Sequence, residues 1–409
     1  MPSAVRLAGL LLVCVVFVGA ASQGRAQAQP DLRVRIVNRS GLPASKVFVT
    51  LHSASGTASV GNQLTDDRPV ALSAITGSTF LLPRTVSAGR LYFGLGKGVT
   101  NHEPPTSRTR FDKVELTTTA HGVANLTSVD FFGIPLRLDT YAGKRLGTAT
   151  EPRGDVMVKA LQRIRGSRRA LVRDKRGRFL RYLAPGLAPR AYPSFTRYLK
   201  SMVGKRLRIT SAFSGTPFTV MDYTGTLRKN LSLTLTGTYQ DAAHPNPVPD
   251  LPITVAAGDL TSSVIYAGVG RWKAGPNAYN PANQPNNKYT VVYRDLLTGF
   301  DLGYWNGNGT SRYRKPAPNS TESWCKRRTA TAPPLARTFY CSSFDRPPFA
   351  AARTRPARFA AFNRYAGVIS SISDSYGFPY SDAGTGKVQL GLDRATTLKV
   401  TILPDRRKR

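Results

Sequence analysis

The sequence predicts a mainly β fold with an additional mixed α/β section, and three observations carry that prediction. β-Branched and aromatic residues gather in short runs at 32–38, 47–51, 89–96 and 111–119. Glycine (36) and proline (29) are frequent among the 409 residues, so turns punctuate the runs. Helical spacing enters only after residue 150, where Met157, Val158, Leu161 and Ile164 recur on one face.

Taken in order, residues 32–38 alternate as a half-buried strand does, and Asn38-Arg39-Ser40-Gly41 turns the chain into a second strand at 47–51. Residues 79–82 are stopped by Pro83, which marks an edge strand. The run 89–96 is a strong strand closing on glycine. Its Gly94-x-Gly96-x-Gly98 string has neither the spacing nor the following helix of a phosphate loop. Residues 111–119 and 126–132 read as a hairpin about Gly122, a residue free to take φ > 0. Asp155 is placed to cap a helix through Ile164, and 192–203 carries Phe195, Tyr198, Leu199 and Met202 on the face of a second. Strands are expected again at 207–210, 218–221, 231–235, 252–255, 263–266, 289–293 and 302–305, with a closing strand at 397–402. Residues 274–288 read as a surface loop and 314–336 as an exposed segment.

Composition narrows the function classes. The formal charge of +35 comes from 58 Lys plus Arg against 23 Asp plus Glu, and it favours anionic surfaces without specifying one. The basic stretch from Arg163 to Arg181 reads as a solvated helix-and-turn face; the functional alternative is a patch for an anionic cell-surface polymer. No nucleic-acid motif accompanies it. A P-loop and a Gly-x-Ser-x-Gly elbow are both lacking, and the histidines are His52, His102, His121 and His244 alone. Residues 1–28 read as a signal peptide, with Arg6 before an apolar run and small residues after it, so a secreted, extracellular chain is expected; a retained anchor is the alternative. Cys325 and Cys341 then remain, and in an exported chain they suggest one disulfide rather than a zinc site.

The chemistry is concentrated at 111–136. Alternation sets Phe111, Lys113, Glu115, Thr117 and Thr119 on one strand face, and Ser128, Asp130 and Phe132 on a face of the next. A hairpin about Gly122 and Val123 brings Glu115 opposite Asp130. Like charges directly opposed destabilise a sheet, yet paired carboxylates are what glycoside hydrolysis uses. On spacing alone, two solvated charges on an open face is the stronger reading. A slip of one residue would separate the carboxylates.

At these residues the chain resembles a known family. Val114-Glu115-Leu116-Thr117, followed by Asn125-Leu126-Thr127-Ser128-Val129-Asp130-Phe131-Phe132-Gly133-Ile134-Pro135-Leu136, is similar to the signature of the β-1,3-glucanases of glycoside hydrolase family 64. The block at 89–96, Phe362-Asn363-Arg364-Tyr365-Ala366, and Tyr376-Gly377-Phe378-Pro379-Tyr380-Ser381-Asp382 resemble further blocks of that family, in the same order. Ser381 stands where the family has the first Asp of its last motif, and Asp382 keeps the second.

The resemblance implies a thaumatin-like β-sandwich or barrel domain over 29–150, completed by 384–405. A mixed α/β region at 151–383 would line an open groove. It implies inverting hydrolysis of long β-1,3-glucan, with Glu115 as general acid and Asp130 as general base. Thr117, Thr119, Asn125, Tyr380 and Asp382 are candidates for holding the sugar. No cofactor, metal or specific nucleic acid is implied, and the chain is expected to act as a monomer. The family's turn usually carries a Trp, replaced here by His121-Gly122-Val123. That replacement keeps open the alternative of a non-catalytic β-glucan or cell-wall polymer binder. Trp305, beside a glycine-rich turn, reads as core packing before a stacking subsite.

Overall fold

The computed structural model describes residues 30–53, 64–213, 217–303, 305, 362–380 and 389–406. Leu32, Val34 and Ile36 are buried while Arg33 and Arg35 face solvent, so the first strand, β1 (Leu32–Asn38), forms as its alternation predicts. In chain order follow β2 (Val47–His52), β3 (Val70–Ala71), β4 (Thr79–Leu82), β5 (Gly89–Leu95), β6 (Arg110–Thr117), β7 (Val123–Leu126), β8 (Phe131–Phe132), β9 (Leu136–Ala142) and β10 (Lys144–Thr150).

Most of these strands make two sheets. One has the order β10-β9-β21-β1-β4, where β21 (Thr397–Ile402) is the closing strand. It slots between β9 and β1, parallel to β1 and antiparallel to β9, and β4 lies at the edge as Pro83 suggested. The second has the order β20-β7-β6-β5-β2-β3, with β20 (Gln389–Gly391) again from the end of the chain. Val34, Leu138 and Val400 of the first sheet meet Val49, Phe93, Val114 and Leu126 of the second in one hydrophobic core.

A second core belongs to the rest of the chain. Strands β11 (Leu171–Arg173) and β12 (Phe179–Leu183) pair with β8 in a small sheet. Strands β13 (Arg206–Phe213), β14 (Thr219–Thr226) and β15 (Leu233–Gln240) begin a larger, seven-stranded one. Met157, Tyr198, Tyr223, Leu296, Phe300, Trp305 and Tyr365 are buried together against these sheets. The indole of Trp305 donates to the Leu296 carbonyl at 3.1 Å, so this Trp packs.

Several expectations are corrected. The second arm of the hairpin is not one strand. β7 ends at Leu126, and Thr127 pairs instead with Tyr376 in an isolated parallel bridge. Phe131 and Phe132 then join the other sheet, Phe132 opposite Tyr182. The Asp112 carboxylate accepts from the Gly133 and Ile134 amides at 2.7 and 3.0 Å, and this pulls the run across to β6 after β7 has ended. Gly122 is needed for close approach: a Cβ there would lie 2.6 Å from the Thr117 carbonyl oxygen, while His121 takes the left-handed conformation at φ 61°.

Residues 263–266 lie in a helix, Ser262–Ala267, where the Thr261 side chain caps by accepting from the Val264 amide and Gly268 closes at φ 70°. Residues 289–293 lie in the helix Lys288–Asp301, capped by Asn287. Its Val292, Tyr293, Leu296, Leu297 and Phe300 are buried at helical spacing, and that packing overrides the β-branched content. The first helix, Gly154–Leu161, is preceded by Arg153, so Asp155 sits in its first turn. The second helix is shorter than expected, Thr196–Ser201. The expected loop at 274–288 contains the end of one short strand, Trp272–Ala274, and all of its partner, Asn277–Tyr279. In the basic stretch, Arg163, Arg165, Arg168, Arg169, Arg173 and Arg178 are exposed, but Arg181 is fully buried. Its guanidinium donates to the Pro105 and Thr109 carbonyls and lies 4.1 Å from the Phe111 ring centroid. Residues 1–28, Cys325, Cys341 and Asp382 lie outside the described residues.

At Gly133 the chain leaving β8 passes tightly against β6: a Cβ there would meet the Phe111 carbonyl oxygen at 2.2 Å. Gly133→Ala is therefore expected to lower unfolding stability by about 1–3 kcal/mol, as overpacking does. Thermal or urea unfolding measures it.

Candidate functional site

The site grows out of the two faces of β6. Val114 and Leu116 point into the first core, so Lys113 and Glu115 emerge on the opposite face. Antiparallel register then sets their neighbours: Arg90 on β5 and Asn125 on β7 flank Glu115, and Tyr92 on β5 flanks Lys113. The expected partner of Glu115 across the hairpin was Asp130; its partner is Asn125. Asp130 lies past the end of β7, in a bend at 129–130. It still reaches the same face, because the Lys113 Nζ forms an ion pair with its Oδ2.

The two carboxylates have different surroundings. Glu115 is 7% exposed; its Oε2 accepts from the Tyr376 hydroxyl, and its Oε1 lies 3.7 Å from the Arg90 Nε. The Asp130 side chain is 43% exposed. Desolvation pushes the Asp130 carboxyl up, but the Lys113 ammonium, by charge and hydrogen bond, and Arg90 outweigh it and hold the group below the usual carboxylate range. Desolvation likewise pulls Lys113 down, and Asp130, Tyr92 and Glu115 outweigh it, so the buried ammonium keeps its proton. Arg90 is steadied by Asn101, whose Oδ1 accepts from both the Tyr92 hydroxyl at 2.7 Å and the Arg90 Nη1 at 3.3 Å.

The C-terminal motifs hold this arrangement in place. The Ser128 amide donates to the Tyr376 carbonyl at 2.8 Å, and the Tyr365 hydroxyl donates to the Ser128 carbonyl at 2.9 Å. Behind them, Glu151 accepts from the Leu136 amide at 2.9 Å and from Ser128 Oγ at 3.3 Å. Burial, and then the neighbouring Asp112, push the Glu151 carboxyl well above its ordinary value. Burial also pushes Asp112 up, to about 6, against three backbone amides. These two carboxyls lie beneath the site and tie strands together. Asn363 caps the helix Arg364–Ile372 by accepting from the Ala366 amide at 3.0 Å, and its Nδ2 donates to Asp301 Oδ1 at 3.0 Å.

Of the sequence-predicted residues, Glu115, Asp130 and Asn125 are brought together. Asn125 is buried, and its Oδ1 has no hydrogen-bond partner among the described residues. Thr117 is also buried, with its hydroxyl accepting from the Ala88 amide at 3.2 Å, and Thr119 lies two positions beyond the end of β6. Tyr380 takes φ 66° and stacks beneath the Arg294 guanidinium at 4.3 Å. Sequence reasoning gave no role to Arg90, Lys113 or Tyr376. Strand alternation already put Lys113 beside Glu115, and that was the available signal.

Comparison with known proteins bears on the family and the fold. The family model for the β-1,3-glucanases of glycoside hydrolase family 64 matches residues 42–238, the stretch that contains Arg90, Lys113, Glu115 and Asp130. Among curated proteins none matches. Solved structures do. A laminaripentaose-producing β-1,3-glucanase in complex with laminaritetraose superposes with a TM-score of 0.55 at 17% identity, covering 93% of this chain and 100% of that one. A β-1,3-glucanase domain from Clostridium beijerinckii gives a TM-score of 0.55 at 14% identity, over 91% and 98%. At those identities the likeness is one of fold. The family match supports a glycoside hydrolase of the β-1,3-glucanase class. Over residues 42–238 the chain matches glycoside hydrolase family 64, the β-1,3-glucanases.

Asn363 serves the site at a distance, as both cap and partner of a buried carboxyl. Asn363→Ala is expected to cost about 2–4 kcal/mol of stability, combining a lost cap with an unpaired buried group. Denaturant unfolding measures the loss.

Proposed function

We propose that the chain hydrolyses β-1,3-glucan with inversion, Glu115 acting as general acid and Asp130 as general base. The observation that carries this reading is the meeting of both carboxylates on one face in unlike surroundings. Glu115 is enclosed and hydrogen-bonded to Tyr376; Asp130 is open to water and paired with Lys113. Unlike environments are how one site runs acid and base chemistry together. Directly opposed strand residues would hold the carboxyls too close for a water between them, with Cβ atoms about 4.5–5.5 Å apart. Asp130 lies off the strand and is free of that spacing. Inversion calls for carboxyls about 6.5–9.5 Å apart, with the attacking water held by the base.

In this reading the sugar lies across the face of β5, β6 and β7, and Asn125 offers its unpartnered oxygen to a hydroxyl. The architecture is thaumatin-like, with the second core walling a groove. The protein is secreted after loss of residues 1–28 and acts as a monomer on a polymer; its exposed arginines keep it near anionic cell-surface polymer. Trapping of laminari-oligosaccharide by the folded chain would be expected on the same face.

Reducing-sugar release from linear β-1,3-glucan tests the assignment. Glu115→Gln and Asp130→Asn are each expected to lower kcat about 10²–10⁴-fold with the fold intact, the usual range for a lost acid or base. NMR of the first product is expected to show the α anomer. Turnover unchanged in either variant would sink that residue's role; retention on insoluble glucan without release by the wild type would favour the binding protein. Tyr376→Phe removes the donor to Glu115 and is expected to lower kcat/KM about tenfold while leaving the unfolding midpoint within a few degrees, since a single hydrogen bond is worth roughly 0.5–1.5 kcal/mol net.

A further inference from the structure

The reaction as proposed makes no use of Lys113, yet this lysine touches the base directly. It is 5% exposed, in the middle of β6 and two positions from Glu115. Its Nζ lies 5.3 Å from the centroid of the Phe131 ring, the residue after Asp130. Buried lysines are rare unless paired, and among the described residues the direct ion-pair partner of this one is Asp130.

We propose that Lys113 is a positioning residue for hydrolysis: by holding Oδ2 of Asp130 it leaves Oδ1 as the oxygen that takes the proton of the attacking water. The proposal rests on Asp130 being the general base. The carboxylate is fixed from both ends. At the backbone, the Asp130 carbonyl accepts from the Ala184 amide at 2.8 Å, and Phe131 is registered opposite Leu183. At the side chain, Lys113 reaches it from a strand whose own place is set on both sides by β5 and β7. Asp130 Oδ1 makes no hydrogen bond among the described residues, and the side chain is exposed enough for a water to reach it.

The other charged and titratable groups facing this pair are Arg90 and Tyr92 from β5, Glu115 from β6, and Tyr365 and Tyr376 from the C-terminal motifs. Asp112 lies on the reverse of β6. Arg90 adds a second positive charge, spent at close range on Glu115. Lys113 is therefore the cation that both orients the base and keeps it ionised as pH falls. The sign follows. Removing a cation from beside a carboxylate raises the pH at which it takes up a proton. A base works only when ionised, so without Lys113 the acidic limb of kcat/KM moves to higher pH.

The test uses the full chain with wild type, Lys113→Met, Lys113→Gln, Lys113→Arg and Asp130→Asn, each first checked by thermal unfolding. In Lys113→Met the acidic limb is expected to rise by about 1–3 pH units. Plateau kcat is expected to fall about 10–100-fold, the effect of a misplaced catalytic group, with KM little changed. Lys113→Gln, closer in polarity and able to fold if the methionine is not tolerated, shows the same rise. Lys113→Arg restores the charge and returns the limb toward the wild-type position. A limb unmoved in the folded neutral variants, or moved equally in all three, would overturn the proposal and leave Lys113 as packing. Asp130→Asn separates the layers: if it is inactive while Lys113→Met is unaffected, the positioning role alone fails; if it is fully active, the base assignment fails and takes this inference with it.

Discussion

On β6, Val114 and Leu116 sit in one hydrophobic core, while Lys113 and Glu115 leave the other face of the strand as charges that burial would otherwise forbid. Period-two alternation makes both possible at once. It also means the charged face must be satisfied partly by a neighbouring strand of the same sheet and partly by groups from outside the first two sheets. Arg90 comes from the neighbouring strand; Tyr376, Tyr365 and Asp130 come from the segments that build the second core. The site therefore sits where two hydrophobic interiors adjoin, and neither interior contains it alone.

Buried carboxyls hold that junction. Asp112 takes the Gly133 and Ile134 amides, and Glu151 takes Leu136 and Ser128. Each satisfies backbone groups that no strand ladder serves after β7 stops. Their carboxyls are pushed up by burial, whereas Asp130, more exposed and beside an ammonium, is held down. Three carboxyls within one short stretch of fold thus differ by the surroundings each receives: two are buried on backbone amides, and the third is more exposed beside an ammonium. The charge pattern around Glu115 and Asp130 follows the same logic: one cation stands by each, Arg90 on the adjacent strand and Lys113 on the same strand.

Much of this was legible in the residues. The strands at 32–38, 47–51, 79–82 and 397–402 follow from alternation with Pro or Gly at their ends. Where local chemistry pointed two ways, the reading failed. Residues 262–267 and 288–301 are rich in β-branched and aromatic side chains, yet Thr261 and Asn287 cap them, and in 288–301 the buried positions recur at helical spacing. Arg181 looked like one more member of a basic surface; carbonyls at 105 and 109 and the ring of Phe111 hold it inside.

The sequence by itself determined the alternation of β6, the presence of Glu115 and Asp130 a strand and a turn apart, and the motifs around them, because these depend on period and on residue type. Only the tertiary structure decided which groups the two carboxylates meet. Asn125, and not Asp130, is the partner across the hairpin, since β7 ends once Leu126 has filled its place in the core. Lys113 reaches Asp130, and Tyr376 reaches Glu115 across 261 positions of chain. Such contacts are set by where separate elements bury their apolar faces, and no local pattern encodes a distance of that kind.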